Sequence, residues 1–446
     1  MVIKMKKIKY RMAVMAGKLS SFILKMLKRN IPYYPGYIAL KVCPDFLKYV
    51  PKPKLIIAIT GTNGKSTICG LLKDCLENLG LNVINNNGFN INTGIAAMFL
   101  KQKKVADVAI LEIDEKTSGE IFKEIKPDYL LCTNLFRDSM KTNSTIDYVL
   151  SKIQNGIPKN TKLILNADDL ITSELAKNHN AVYFGIKENF GKKNIEHRFC
   201  DLIYCPNCGS KLNYIDSKYY HIGNVLCPKC GLTNPTRDYV AAVDFYKKKL
   251  VINGNPFPLK VTSIFNIYNY IAVISILLEL GYKSENICNC LEKVSIVDSR
   301  FSEEEVGKTI LINHMAKGQN PVACSSVLEY VKNEHGQKCI MLMLDDVTDN
   351  RYSSETVSWY YDTDFELLND ENITSIIVGG KRNKDLYVRL LLAGINKEII
   401  SLVDDELNMA SALKNKNFDK IFILHDLTSY EQSLILKEKI KKELNK

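Results

Sequence analysis

The sequence of 446 residues predicts an α/β protein with two domains, a larger one that carries an inserted metal-binding module and a smaller one at the carboxyl terminus. Short apolar segments alternate with helical patterns along the chain, which is typical of a parallel sheet covered by helices on both faces. A glycine-rich turn follows the first of these apolar segments, as it does in nucleotide-binding α/β domains.

The order of the motifs divides the chain into three segments. A basic helical segment occupies residues 1–53, a nucleotide-binding domain occupies residues 54–300 with an insertion at about 200–235, and a C-terminal α/β domain occupies residues 301–446. Strands of this last domain are predicted near 340–344, 376–378 and 421–424. Hydrophobic residues form 46% of the chain, enough for separate cores in both domains.

The amino-terminal segment combines positive charge with helical periodicity. Its basic residues are Lys4, Lys6, Lys7, Lys9, Arg11, Lys18, Lys25, Lys28 and Arg29. Its apolar residues at helical spacing are Ile8, Met12, Met15, Leu19, Phe22, Ile23, Met26 and Leu27. Such a helix either rests on an anionic membrane surface or packs on its own domain with its charges in water. No apolar stretch reaches the roughly 18 residues of a membrane span, and no cleavable signal is evident. We therefore expect a cytoplasmic protein, peripheral to the inner leaflet if the helix meets lipid.

The glycine-rich turn predicts a phosphate-binding loop. It follows the apolar segment 55–59, and its first glycine is Gly61, so the loop is shorter than an ordinary Walker A loop. Lys65 is placed to reach the β and γ phosphates of ATP, and the Ser66 hydroxyl to bind Mg²⁺, with Thr67 as the alternative ligand. The predicted ATP-binding residues of the loop are Thr62, Asn63, Gly64, Lys65, Ser66 and Thr67.

Acidic and amide side chains follow later strands of the predicted sheet. The segment 108–112 ends in Glu112, which we assign as a second Mg²⁺ ligand because the carboxyl ends of parallel strands meet at one edge. We expect Asp114 and Glu115 to face water. The loops at 134–138 and 166–169 should line the nucleotide cleft at the same edge.

Four of the thirteen cysteines form two CxxCG knuckles separated by eighteen residues. Four thiolates at this spacing predict a zinc ribbon whose closed ligand shell leaves no position for a catalytic water. A redox CxxC is the weaker alternative, because one knuckle would suffice for it. Cys200 and His221 lie nearby in the sequence and are interpreted as bystanders. The predicted zinc ligands are Cys205, Cys208, Cys227 and Cys230.

Several of these motifs resemble the Mur ligases, which form amide bonds through acyl phosphates. The resemblance rests on TGTNGKST at 60–67, LEIDE at 111–115 and NADD at 166–169. Further motifs narrow it to the MurT family, the ligase subunits of lipid II isoglutaminyl synthases. They are the cysteine pairs, PGYIA at 35–39, NLFRD at 134–138, FNIYN at 265–269 and VSWYYDTDF at 357–365.

The resemblance implies a reaction and a partner. ATP would phosphorylate the α-carboxylate of D-glutamate in the stem peptide of lipid II, and ammonia from a GatD-like class I glutaminase would then displace the phosphate. By position in the family motifs, Asn166 and Asn269 would flank the adenine, and Arg300 would lie near the ribose and phosphates. Ser299 stands where the family has a glycine.

The sequence departs from the family pattern in its C-terminal third. The KNPAG element reads HMAKG at 314–318, and Thr356 replaces the aspartate that is thought to complete the glutaminase's catalytic group. Other acids could substitute for that aspartate, and we assign the role to Asp349 and Asp362. The remaining candidates are Glu355 and Asp364. Trp359 and Tyr360 are as consistent with core packing as with a functional role.

Two other functions remain open at the level of sequence. One is a stand-alone Mur-type ligase that adds an amino acid to a related cell-wall precursor, which the altered C-terminal motifs allow. The other is a nucleic-acid-binding ATPase, which is suggested only by the ribbon and the net charge of +11. Few aromatic and basic residues alternate in the ribbon, so we expect no nucleic-acid partner.

Overall fold

A computed structural model describes residues 2–138, 145–187, 200–294, 301–344, 357–413 and 417–444, with side chains from residue 7. The chain divides into two compact units. Described residues of the first unit are 2–136, 146–187 and 201–294, and those of the second are 137–138, 145, 200 and the described part of 301–444. Arg300 and Asp349, both predicted site residues, lie outside the described residues.

The first unit begins with three helices, α1 (Val2–Met26), α2 (Tyr34–Val42) and α3 (Phe46–Tyr49). Among the described residues no helix has both the length and the apolar character needed to cross a bilayer. Tyr10 of α1 stacks on Phe46 of α3 with ring centroids 5.3 Å apart. The amino-terminal helices therefore pack on the first unit.

A nine-stranded sheet forms the centre of this unit. In chain order its strands are β1 (Leu55–Thr60), β2 (Val83–Asn85), β3 (Val108–Glu112), β4 (Tyr129–Cys132), β5 (Lys162–Asn166), β6 (Ala181–Ile186), β9 (Tyr239–Asp244), β10 (Lys249–Ile252) and β11 (Asn255–Pro258). The strands β7 (Asn213–Tyr219) and β8 (Ile222–Leu226) form a separate two-stranded sheet in the cysteine-rich insertion. Their spatial order is β11-β10-β9-β6-β5-β4-β1-β3-β2. The neighbouring strands β2, β3, β1, β4, β5 and β6 all pair in parallel, which confirms the predicted parallel sheet.

Helices follow these strands as the alternating pattern predicts. They are α4 (Lys65–Asn78), α5 (Asn92–Lys101), α6 (Ser118–Glu124), α7 (Ile146–Gly156), α8 (Leu170–Ser173), α9 (Ile264–Glu279) and α10 (Ser284–Lys293). The strands are apolar through most of their length because both faces of the sheet are covered, and β3 is buried at every position. The edge formed by β9, β10 and β11 is antiparallel between neighbouring strands, which the sequence did not predict.

The second unit contains a six-stranded sheet. Its strands are β12 (Phe301–Val306), β13 (Thr309–Met315), β14 (Lys338–Met343), β15 (Ile373–Gly379), β16 (Ile400–Val403) and β17 (Lys420–His425), in the spatial order β12-β13-β17-β14-β15-β16. Its helices are α11 (Pro321–Asn333), α12 (Asn383–Leu392) and α13 (Tyr430–Leu444). Only the β12–β13 pair of this sheet is antiparallel among the described strands. The start of α11 is fixed by the Asn320 side chain, which caps the Ala323 N–H, and by Pro321 at the first helical position.

Candidate functional site

The loop between β1 and α4 requires both of its glycines. Gly61 and Gly64 have φ angles of +118° and +89°, a region that residues with a side chain rarely adopt. A Cβ on Gly61 would lie 2.3 Å from Thr133 Oγ1, and one on Gly64 would lie 2.3 Å from Asn269 Oδ1. The loop therefore approaches its neighbours closely just before the N-terminus of α4, a favourable place for a phosphate.

Gly64→Ala is expected to weaken ATP binding at least tenfold. The left-handed backbone disfavours alanine by about 1–2 kcal/mol, and the added methyl group would displace Asn269. Isothermal titration with ATP and Mg²⁺ measures the effect. The matched control is Gly70→Ala on α4, where a Cβ meets no atom within 4 Å and alanine favours the helix by about 1 kcal/mol. Equal ATP affinities for both variants would contradict the prediction.

The loop after β4 holds the phosphate loop in place. The Thr62 N–H donates to the Asn134 carbonyl at 2.8 Å, and the Asn63 N–H donates to Asn134 Oδ1 at 3.0 Å. The Thr133 hydroxyl donates to the Asn63 carbonyl at 2.6 Å, and the Phe136 N–H donates to the Thr62 hydroxyl at 2.9 Å. The segment that follows β4 therefore fixes the backbone of the phosphate loop, which itself follows β1.

Lys65 is the first residue of α4, and its ammonium group lies at the loop. Its Nζ donates to the Gly61 carbonyl and forms an ion pair with Glu115 Oε1 at 2.8 Å. Glu115 is only 5% exposed, so the prediction that it faces water was wrong. The carboxylate turns inward because the lysine compensates its charge, and burying a carboxylate without such a partner would be costly.

Glu112 lies at the carboxyl end of β3, as predicted, and is buried. Its backbone is fixed by the Asn86 side chain, which accepts from the Glu112 N–H at 2.8 Å and donates to its carbonyl at 2.7 Å. Ser66 is exposed at the start of α4, and Thr67 is half-buried beside it. The strand end of β3 and the start of α4 thus present the carboxylate and hydroxyl groups that a hard cation prefers.

The loop after β5 is almost fully buried. Asn166 is inaccessible to solvent, and its Nδ2 has no hydrogen-bond partner among the described residues. Asp168 accepts from Arg237 Nε at 2.9 Å and from the Tyr268 hydroxyl at 2.6 Å. Asp169 caps α8 and also accepts from the Leu135 N–H, which joins this loop to the loop after β4.

A β-hairpin of the cysteine-rich module packs against the same loops. Its strands are β7 and β8, and the turn between them contains His221. The His221 ring lies 4.4 Å from the Phe136 ring, and its Nε2 lies 3.4 Å from Asp169 Oδ1. Tyr219 packs at 4.5 Å from Phe265 and 5.7 Å from Tyr268, near the start of α9. The hairpin therefore supports the side of the site where Asn166 and Asn269 lie.

The four predicted metal-binding cysteines converge. Cys205 Sγ lies 3.5 Å from Cys230 Sγ, Cys208 Sγ lies 3.5 Å from Cys227 Sγ, and all four sulfurs lie within 4.8 Å of one another. A tetrahedron with Zn–S bonds of about 2.3 Å has sulfurs about 3.8 Å apart, so the spacing fits a zinc ion. His221 contacts Phe136 and Asp169 and is no member of this cluster.

Two cysteines near the phosphate loop, Cys69 and Cys132, are buried. Burial raises the pKa of Cys69 well above its usual range, and the Glu112 carboxylate raises it further. Burial likewise raises the pKa of Cys132, together with the charges of Asp169 and Glu115. Both thiols are therefore protonated at neutral pH, and neither has the character of a nucleophile.

The second unit contains the motif VSWYYDTDF at 357–365, in which Ser358–Tyr361 form a single-turn helix. Trp359 and Tyr360 are buried, which favours their interpretation as core residues. The fully buried Arg389 donates through Nε to the Tyr360 carbonyl at 2.9 Å. Asp362 follows the helix, is partly exposed, and forms an ion pair with Arg137 of the same unit at 3.2 Å. Asp362 is thus a partly exposed carboxylate, and Arg389 fixes the backbone two residues before it.

Comparisons with known sequences cover both units. Residues 59–215 match the family model of the Mur ligase middle domain, and residues 318–430 match that of the MurT ligase C-terminal region. The chain is 34% identical over 394 residues to the lipid II isoglutaminyl synthase (glutamine-hydrolyzing) subunit MurT of Staphylococcus aureus (strain COL), covering 86% of this chain and 88% of the relative. The MurT subunit of Streptococcus pneumoniae (strain ATCC BAA-255 / R6) is 28% identical over 451 residues, covering 98% of this chain and 100% of the relative.

Solved structures share the fold. A pseudomurein peptide ligase type C from Methanothermus fervidus has a TM-score of 0.67 at 24% identity, covering 90% of this chain and 80% of that chain. The MurF ligase of Thermotoga maritima in complex with ADP has a TM-score of 0.60 at 16% identity, covering 92% and 84%. These structures establish the Mur ligase fold. The sequence relatives and the family models show that this chain belongs to the MurT family of Mur ligase-type subunits.

Proposed function

We propose that this chain catalyses the ATP-dependent amidation of the α-carboxylate of D-glutamate in the stem peptide of lipid II, a step of peptidoglycan synthesis. Membership of the MurT family carries the proposal, since the relatives are named as subunits of a glutamine-hydrolyzing lipid II isoglutaminyl synthase. The phosphate loop with Lys65 at its end supplies the ATP-dependent half of that activity.

We assign the binding of ATP and Mg²⁺ mainly to residues of the first unit. The loop 62–64 and Lys65 would bind the phosphates, and Ser66 or Thr67 together with Glu112 would hold Mg²⁺, which neutralises phosphate charge when bound. Asn166, whose buried Nδ2 has no hydrogen-bond partner among the described residues, and Asn269 beside Gly64 would contact the adenine. Arg300 is assigned to the ribose and phosphates from its sequence position alone.

The proposed chemistry has two steps. An oxygen of the substrate carboxylate attacks the γ-phosphorus of ATP, which forms an acyl phosphate and releases ADP. Ammonia then attacks the carbonyl carbon, the C–N bond forms, the bond from carbon to the phosphate oxygen breaks, and inorganic phosphate leaves with loss of one proton from nitrogen. Lys65 would stabilise the negative charge that moves during phosphoryl transfer, an effect of position and charge.

Ammonia would come from a GatD-like class I glutaminase bound to the C-terminal domain. Asp362 is a suitable group to present to such a partner, because it is partly exposed on a backbone that Arg389 holds. We assign to Asp362 and Asp349 the role that Thr356 cannot fill. Cys205, Cys208, Cys227 and Cys230 would hold a structural zinc ion, which would stabilise the hairpin beside the nucleotide site.

The test uses the purified chain with a candidate glutaminase, ATP, Mg²⁺ and lipid II, and mass spectrometry of the product. We expect amidated lipid II with either glutamine or ammonia as nitrogen donor. Asp362→Asn or Asp349→Asn should lower glutamine-dependent amidation at least tenfold and leave ammonia-dependent amidation unchanged. The control Asp385→Asn removes an exposed acid that pairs only with Arg382 among the ion pairs described, and should affect neither reaction.

Using both glutamine and ammonia as nitrogen donors separates a failure of the aspartate assignment from a failure of the proposed amidation. Loss of both reactions in the aspartate variants would contradict the assignment of these acids to ammonia supply. Absence of product with either donor in the unaltered chain would contradict the amidation itself. Incorporation of an added amino acid in that case would identify a stand-alone Mur-type ligase.

A further inference from the structure

Helix α1 is fixed to the first unit by small residues on one side. Ala13 is fully buried, and Gly17 lies so close to α5 that a Cβ would be 2.6 Å from Leu100 Cδ1 and 3.0 Å from the Pro35 carbonyl. Tyr10 stacks on Phe46 from the same side. The side of α1 that packs on its own unit therefore includes Tyr10, Ala13 and Gly17.

The opposite side of α1 is apolar and exposed. Six large residues lie there at alternating spacings of four and three, which places them in one line along the helix. Their exposed fractions run from 53% to 72%, although such residues are normally buried. We call this line the outer stripe; it consists of Ile8, Met12, Met15, Leu19, Phe22 and Met26.

Positive charge runs along the outer stripe. Lys7, Arg11, Lys18 and Lys25 each precede a residue of the stripe by one position and are exposed, so they form a parallel row about 100° round the helix. The first acidic residue of the chain is Asp45, so no carboxylate of α1 or α2 offsets this charge. An apolar line beside a purely cationic row complements an anionic lipid surface, in which acyl chains lie beneath negative headgroups.

We propose that α1 binds the surface of an anionic phospholipid bilayer, with the outer stripe in the acyl-chain boundary and the cationic row at the headgroups. The helix would lie in the plane of the interface, since it lacks the apolar character of a spanning helix. The biological purpose rests on the proposed function, because a lipid-linked acceptor is presented at such a surface. The binding itself needs neither ATP nor the acceptor.

The test is co-sedimentation of the full chain with vesicles of phosphatidylcholine alone or mixed with phosphatidylglycerol. We expect binding to the mixed vesicles that falls as salt rises, and little binding to phosphatidylcholine alone. L19Q/F22Q removes apolar area without changing charge and should lower the partition coefficient at least tenfold. K18Q/K25Q should lower it about tenfold at low ionic strength.

A matched control, Y246Q/L392Q, removes two exposed hydrophobic side chains outside α1 and should bind as the unaltered chain does. Circular dichroism and zinc content should be the same for all variants, because every altered side chain is exposed. Unchanged binding in L19Q/F22Q, or no binding to anionic vesicles by the unaltered chain, would overturn the proposal. In the second case light scattering decides whether the outer stripe instead joins two copies of the chain. Amidation of a water-soluble stem-peptide substrate in the same variants tests the proposed function separately.

Discussion

Lys65→Met is expected to lower the rate of ATP-dependent ligation by about 10²- to 10³-fold, the usual consequence of removing one charged donor from a phosphoryl-transfer site. The Lys65 Nζ lies at the phosphate loop, and methionine nearly retains the length of the side chain without its charge. The measurement is ADP release under single-turnover conditions with saturating ATP. The control is Lys73→Met on the same helix, whose ion pair with Glu77 lies on the surface at 3.6 Å.

The same substitution should also destabilise the protein, for a separate reason. Without the ammonium group, the carboxylate of Glu115 stays buried and uncompensated, which costs about 3 kcal/mol. The double variant Lys65→Met/Glu115→Gln removes that carboxylate charge and should recover most of the lost free energy of unfolding in urea. It should not recover ligation. Recovery of both properties would mean that Lys65 serves the fold only.

Cys227→Ser is expected to abolish stoichiometric metal binding and to lower ATP affinity as well. A structural zinc ion contributes about 10 kcal/mol to the folding of its module, and three thiolates retain only part of this. The hairpin of β7 and β8 would then lose its fixed position against Phe136 and Asp169. Metal content by mass spectrometry and ATP affinity by titration measure the two effects. We expect zinc, and a visible absorption spectrum would reveal iron instead.

Cys288→Ser is the matched control for the metal site. Cys288 lies outside the ribbon, and its thiol donates to the Pro256 carbonyl, a bond that serine can keep. This variant should retain metal and ATP affinity. Metal loss in Cys227→Ser with unchanged ATP affinity would contradict the inferred support of the nucleotide site by the ribbon.

The sequence was sufficient to predict features whose signals are local. The strand, glycine turn and helix at 55–78 were predicted because apolar periodicity and the two glycines lie together in the chain. The cysteine cluster was predicted because metal geometry fixes the spacing of its ligands. The roles assigned to individual site residues stay predictions, and Arg300 and Asp349 lie outside the described residues.

Features that depend on distant partners were missed. Glu115 is buried because Lys65, fifty positions earlier, compensates it, and no periodicity within the loop reveals that pairing. The hydrogen bonds between the Asn134 side chain and Asn63, seventy-one positions earlier, were not predicted for the same reason. The antiparallel edge of the large sheet was missed for a related reason, since its short strands depend on pairing with one another.

The hydrogen bonds between the loop after β4 and the phosphate loop have a consequence for the thermodynamics of nucleotide binding. Because Asn134 and Thr133 hold the backbone of Asn63 through hydrogen bonds, the loop is already ordered before ATP binds. Less entropy then has to be lost on association, and more of the contact energy appears as affinity. The amide of Asn63 should accordingly resist hydrogen exchange in the nucleotide-free protein about as well as in the complex.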